Sequence, residues 1–219
     1  MSESKCIIAS RFRFVNDSLK EIIKSFCPDM DFVTVNSVEG ILSNLCPEQE
    51  QFIVIDRYIF GLFIEEEFKK IISIHPTIKV FCIMDDVCER YFGLRLMRCG
   101  CNCIIYYLGE DTTFIDQLRS AFEGRKVIPD NIREALEKRE YLMMPDCVGS
   151  LTKREIEVLA LMVNGKSIKQ ICLNLKLAHG TVASLRSRIM KKLGVSNSFE
   201  TIRIASSYGY TYARSFECF

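Results

Sequence analysis

The chain has 219 residues, 48% of them hydrophobic and 26% charged, with a formal net charge of +1. That length makes two small domains or one large one, and the apolar content supplies a core and excludes a disordered chain. No apolar run reaches the roughly 18 uncharged residues of a membrane-spanning helix, and MSESKCIIASRFRF meets Arg11 and Arg13 too soon for a signal peptide.

In chain order, residues 6–9 (CIIA) read as a short apolar strand and 15–26 as an amphipathic helix with Leu19, Ile22, Ile23 and Phe26 inward. Residues 32–35 are a second strand and 38–45 a helix. A third strand, 51–55, ends at Asp56, and 65–74 supply a helix whose Glu65-Glu66-Glu67-Phe68-Lys69-Lys70 run has the charge order of a solvated face. A fourth strand (79–84), a helix (89–98), a fifth strand (103–107) and a helix (113–123) complete the series. Five apolar strands alternating with five helices predict an α/β domain over 1–127, a doubly wound parallel sheet. Residues 128–149 read as a linker, helical from 132 to 141 and broken by Pro145 and Gly149.

The segment 150–219 is predicted to be all-α. Thr152, with Glu155 three residues on, has the spacing of a capping box, and Ile156, Leu159, Ala160 and Val163 follow at helical period up to Asn164-Gly165. Ser167 caps a second helix through Leu175, apolar at Ile168, Ile171 and Cys172. After a turn at 177–180, a third helix runs from Thr181 to Leu193, apolar at Val182, Leu185, Ile189 and Leu193. Its other side carries Ser184, Arg186, Ser187, Arg188, Lys191 and Lys192, and a fourth helix is expected near 198–207. Two short helices across a tight turn, the second basic on its outer side, make a helix-turn-helix. Charge agrees: from Leu151 onward 11 Lys and Arg face 4 Asp and Glu, a net of +7, while the first 150 residues net −6. One domain is suited to meet phosphate and the other is not.

These residues resemble the LuxR/FixJ/NarL family of bacterial regulators. The family pattern L-T-x-R-E-x-E-V-L is met by Leu151, Thr152, Arg154, Glu155, Glu157, Val158 and Leu159. Gly165, Ser167, Lys169 and Ile171 follow its turn and second helix, and Thr181-Val182 and Lys191-Lys192-Leu193-Gly194-Val195 bracket its recognition helix. Departures are Ala183 and Leu185, where the family usually has Lys and His; both remove polar groups from the expected reading face. The resemblance implies a cytoplasmic transcription regulator, not an enzyme, with no cofactor. Its partners would be double-stranded DNA, a second copy or a related LuxR-type regulator, and RNA polymerase, with no membrane. Ser184, Ser187 and Arg188 are placed at base edges, and Lys169, Thr181, Lys191 and Lys192 at phosphates. The helices at 113–123 and 198–207 are the candidate dimer surfaces.

The resemblance also identifies the first domain as similar to a receiver, which passes a phosphoryl group to an Asp ending the third strand. Asp56 occupies that position. The two acidic residues that hold magnesium correspond to Ser10 and Arg11, the Ser/Thr after the fourth strand to Met84, and the Lys ending the fifth to Tyr107. Asp85 or Asp86 could replace one carboxylate but not the whole set. Asp56 therefore reads as a vestigial acceptor with Arg11 as its pairing partner, in a pseudo-receiver that does not cycle phosphate. The alternatives are a phospho-switch that still uses Asp56, and a co-regulator that acts by sequestering a related protein.

Eleven cysteines, an odd number without an export signal, point to free thiols in a reducing compartment. Cys99, Cys101 and Cys103 have C-x-C-x-C spacing, which in a strand would set Cys101 and Cys103 on one face. The only histidines, His75 and His179, lie far off, so small buried hydrophobes are expected rather than a metal site. No P-loop, dinucleotide or H-E-x-x-H pattern occurs.

Overall fold

The structure, a computed structural model, describes residues 4–60, 63–84, 90–107, 109–138, 151–208 and 210. The chain divides into two compact units, Met1–Val87 with Gly93–Arg133, and Cys88–Phe92 with Glu134–Phe219.

In the first unit β1 (Lys5–Ala9), β2 (Asp31–Val35), β3 (Gln51–Asp56), β4 (Lys79–Met84) and β5 (Cys103–Tyr106) form one parallel sheet in the order β2-β1-β3-β4-β5. Such strands are covered on both faces and so read as continuous apolar runs; β3 is buried along its whole length. The intervening helices are α1 (Arg13–Lys24), α2 (Val38–Ser43), α3 (Ile64–Ile74), α4 (Arg90–Cys99) and α5 (Asp111–Phe122), with a 3-10 turn at Arg57–Ile59. Cys6, Ile8, Phe52, Val54, Phe81, Cys103 and Ile105 pack with Leu19 and Ile23 of α1 and Phe114 and Leu118 of α5. The alternate residues, Ile104 among them, face the other way. There Gly93 lets α4 close on α6 (Asp130–Glu137), because a Cβ at this position would fall 2.3 Å from Ile132 Cδ1.

The doubly wound expectation holds, and most boundaries agree to within two residues. Helices α1 and α5 begin two residues earlier than their apolar period announces, since Arg13, Phe14, Asp111 and Thr112 are exposed and add nothing to that period. Helix α6 takes up the first part of the expected linker helix; Pro145, Gly149, Asp85 and Asp86 lie outside the described residues.

The second unit contains α7 (Lys153–Val163), α8 (Ile168–Leu175), α9 (His179–Leu193) and α10 (Ser198–Ser207). Its core joins Ile156, Leu159 and Leu161 of α7, Ile171 of α8, and Val182, Leu185, Ile189 and Leu193 of α9. One expectation is corrected here. The turn between α8 and α9 was placed at residues 177–180. Instead Lys176 turns left-handed (φ 52, ψ 49), Leu177 N–H donates to Cys172 O at 2.9 Å, and α9 already starts at His179. This is the closure that Gly165 (φ 71) gives α7, where Lys166 N–H donates to Leu161 O at 3.0 Å. Among the described residues, Lys176 is the one non-glycine at positive φ.

Candidate functional site

The second unit is held by the residues of its sequence motif. Thr152 Oγ1 accepts from Glu155 N–H at 3.3 Å, and Glu155 Oε2 accepts from Thr152 N–H at 2.8 Å, closing the capping box. The same oxygen accepts from Lys192 Nζ at 2.6 Å, tying the end of α9 to the start of α7. Burial alone would raise the Glu155 carboxyl's pKa, but the hydrogen bonds from Lys192 and Thr152 outweigh it and hold the value below the ordinary one. Arg154 donates to the carbonyl of Leu175 at 2.6 Å, where a cation meets the negative end of α8. Ser167 repeats the capping box with Gln170 on α8, and Arg186 Nη2 donates to Ser198 Oγ at 2.9 Å, joining α9 to α10.

With Val182, Leu185, Ile189 and Leu193 inward, the opposite face of α9 presents Thr181, Ser184, Ser187, Arg188 and Lys191, all exposed, and Lys169 is exposed on α8. Thr181 was expected to open this helix; it is the third residue of α9, so its side chain stands about half a turn further along. Two expectations change. Leu185 is buried and takes no part in the outer face, so it removes nothing from it. Lys192, expected at phosphate, has its ammonium engaged by the buried Glu155. The roles of Arg154 and of the Glu155–Lys192 pair were missed, although the family motif had marked three of these residues. A pair separated by 37 positions leaves no periodic trace in the sequence.

In the first unit the carboxyl ends of β1 and β3 meet at the point where the strand order reverses, the usual ligand crevice of such sheets. Asp56 lies there, buried, accepting from Ser10 Oγ at 2.7 Å and from Tyr58 N–H at 3.0 Å. Asn16 Nδ2 donates to the carbonyls of Ser10 and Val35 and fixes the ends of β1 and β2. Arg11, the expected partner of Asp56, is exposed, and Ser10 takes that role. This donor set does not fit magnesium, because a hydroxyl already committed to Asp56 and a guanidinium stand where a hard dication needs anionic oxygens. Met84 is buried. Tyr107 is half-exposed, and its hydroxyl donates to Asp111 Oδ1 at 3.1 Å; that bond raises the phenol's pKa.

Cys101 precedes β5, so strand parity does not govern it, and its thiol donates to the carbonyls of Val80 and Cys103. Burial pushes the Cys101 thiol up to about 12 and the Cys99 thiol to about 11, which keeps both protonated and poorly nucleophilic. Among the described residues no group of three His, Cys, Asp or Glu is placed to hold a metal ion, and no helix is long and apolar enough to cross a membrane.

Comparison with known proteins agrees with both halves. Residues 149–205 match the profile of bacterial regulatory proteins, luxR family. The uncharacterized transcriptional regulatory protein YvfU of Bacillus subtilis is 29% identical, with 78% of this chain and 92% of that protein covered. The response regulator GacA of Pseudomonas viridiflava is 26% identical over 89% of this chain and 93% of its own. In fold, the chain is similar to RcsB from Salmonella enterica serovar Typhimurium, solved on promoter rprA with the phosphomimetic BeF3-, at 20% identity and a TM-score of 0.55, covering 93% and 98% of the two chains. The helix-turn-helix unit thus belongs to the luxR family of bacterial regulatory proteins, the first unit has a receiver-like fold, and the chain as a whole is similar to LuxR-type response regulators.

Proposed function

We propose that the chain is a sequence-specific DNA-binding transcription regulator that works as a dimer and without phosphoryl transfer to Asp56. The exposed row on α9 carries this reading: Thr181, Ser184, Ser187, Arg188 and Lys191 line one face, with the apolar residues on the other. Ser184 and Ser187 are short enough to let the backbone approach base edges, and Arg188 reaches a guanine edge with two parallel hydrogen bonds. Lys169, Thr181 and Lys191 flank them as phosphate contacts that fix the register, and Lys192 is assigned to the scaffold. RcsB, the neighbour in fold, has been solved bound to DNA, in one case as two dimers on two parallel DNAs. One helix-turn-helix reads too few base pairs for high specificity, so a second subunit is needed, a copy of this chain or a related LuxR-type regulator. RNA polymerase is the further partner that transcriptional control requires.

Fluorescence anisotropy on sites recovered by genome-wide mapping tests the proposal. A dimer with about 3 phosphate contacts per subunit loses affinity with salt at a log–log slope of roughly −5. Absence of salt-dependent DNA binding, alone or with a co-purifying regulator, favours the sequestering co-regulator instead. That second reading drew on Ala183 and Leu185, and the burial of Leu185 removes half of its support.

A further inference from the structure

We propose that the first unit binds an uncharged, ring-bearing apolar small molecule in the cleft at the carboxyl ends of β3, β4 and β5. The cleft measures about 660 Å³, within the span of small-molecule sites, and lies between α1 and α5. Its place is the crevice where doubly wound sheets take their ligands. The floor is aliphatic. Val15 and Ile22 of α1, Ile83 of β4 and Ile115 of α5 pack on the core yet stay half-buried, and all four border this one space. The rim is aromatic. Phe12 and Phe14 pack ring to ring at 5.9 Å, and Tyr107 meets Phe114 edge-on at 5.4 Å. Phe12, Phe14 and Tyr107 are 38%, 70% and 45% exposed, and the first unit's one other exposed large hydrophobic among the described residues is Ile74. Such side chains scatter singly on ordinary surfaces; three around one concave space with an aliphatic floor mark a binding site.

The lining selects the ligand class. A molecule seated here exchanges water for hydrocarbon over most of its surface, which favours an apolar molecule and is costly for an ion of either sign. Rings gain further from stacked or edge-on contact with another ring, so a planar aromatic is preferred to an aliphatic chain of the same size. Tyr107 offers its ring rather than its hydroxyl, whose proton is already given to Asp111 at 3.1 Å. A cleft of this volume encloses one small molecule, whereas a subunit contact spreads over roughly 800 Å² on each partner. Binding here goes beyond the DNA-binding reading and does not depend on whether α9 meets DNA.

The test titrates the full chain with N-phenyl-1-naphthylamine, an uncharged aromatic probe, following dye fluorescence. Berberine, an aromatic cation, and anilinonaphthalene sulfonate, an aromatic anion, are titrated in parallel. The uncharged probe should bind saturably at one site per chain, and each ion about tenfold more weakly or worse. Phe14→Ala and Tyr107→Ala, both at exposed positions, should each weaken the uncharged probe about tenfold, while Tyr107→Phe, which keeps the ring, should not. Circular dichroism confirms that the variants fold. The proposal is overturned by no saturable binding, by a preference for either ion, by affinity indifferent to Phe14 and Tyr107, or by equal losses in Tyr107→Ala and Tyr107→Phe. It also fails if Phe14→Ala turns a dimer into a monomer while dye binding stays the same, since the aromatic patch is then a subunit interface.

Discussion

Glu155 and Asp56 are both buried carboxylates that accept a hydroxyl hydrogen bond, one in each unit. Around Glu155 a lysine answers the charge, and the resulting knot joins two helices. Asp56 accepts from a serine hydroxyl and a backbone amide, and the carboxylate caps the turn at Arg57–Ile59. In the second unit the residues that identify the family also build the fold, so motif and structure survive together. In the first unit the residues that the resemblance assigns to the chemistry are separable from those of the sheet; most of them differ here, while the strand order is that of the doubly wound fold.

The largest effect expected from this contrast is at Glu155. Glu155→Ala should cost the second unit about 2–3 kcal/mol, since it strips the capping box and removes the ion pair with Lys192 that ties α9 to α7. Hydrogen-exchange protection across α7 to α10 measures it, and unchanged protection would break the claim that the motif is structural. The pH dependence has a definite sign. Because the folded carboxyl sits below its ordinary value, its stabilisation is present above about pH 4.3, the unfolded value, and fades as pH falls through the folded one. Glu155→Gln should flatten that acid limb.

Next in size is the outer face of α9. Arg188→Ala should cost about 1–3 kcal/mol on the cognate site and little on random DNA. Lys191→Ala should weaken both alike and reduce the salt slope by roughly one. Lys192→Ala sharpens the division between scaffold and interface, lowering stability with the slope kept; a slope that falls as it does for Lys191 would return Lys192 to the phosphate contacts. Smallest is the effect at Asp56. Asp56→Ala should leave DNA affinity unchanged with or without acetyl phosphate and magnesium. An acyl phosphate seen by mass spectrometry and lost in that variant would restore the phospho-switch.

Legibility followed the range of the interactions. Capping boxes act over three residues, and Thr152 and Ser167 announced their helices correctly. Short continuous apolar runs marked every strand of the sheet. Lys176 hid its turn, because a left-handed backbone leaves a mark in sequence only when glycine supplies it. Leu185 was counted both as core and as outer face until its burial decided between them. The cleft at the carboxyl edge of the sheet was invisible, since Phe12, Tyr58 and Tyr107 come from separate crossovers and line one space only once the sheet is wound.

The thiols sealed in the first unit give each half of the protein its own clock. Cys6, Cys82 and Cys101 are buried and held protonated, so an alkylating reagent reaches them only when the sheet opens. Cys46 lies exposed as an internal zero of time, and Cys172, half-buried on α8, keeps time for the other unit. Labelling rates read cysteine by cysteine would thus separate the opening of the receiver-like sheet from that of the helix-turn-helix in the unaltered chain.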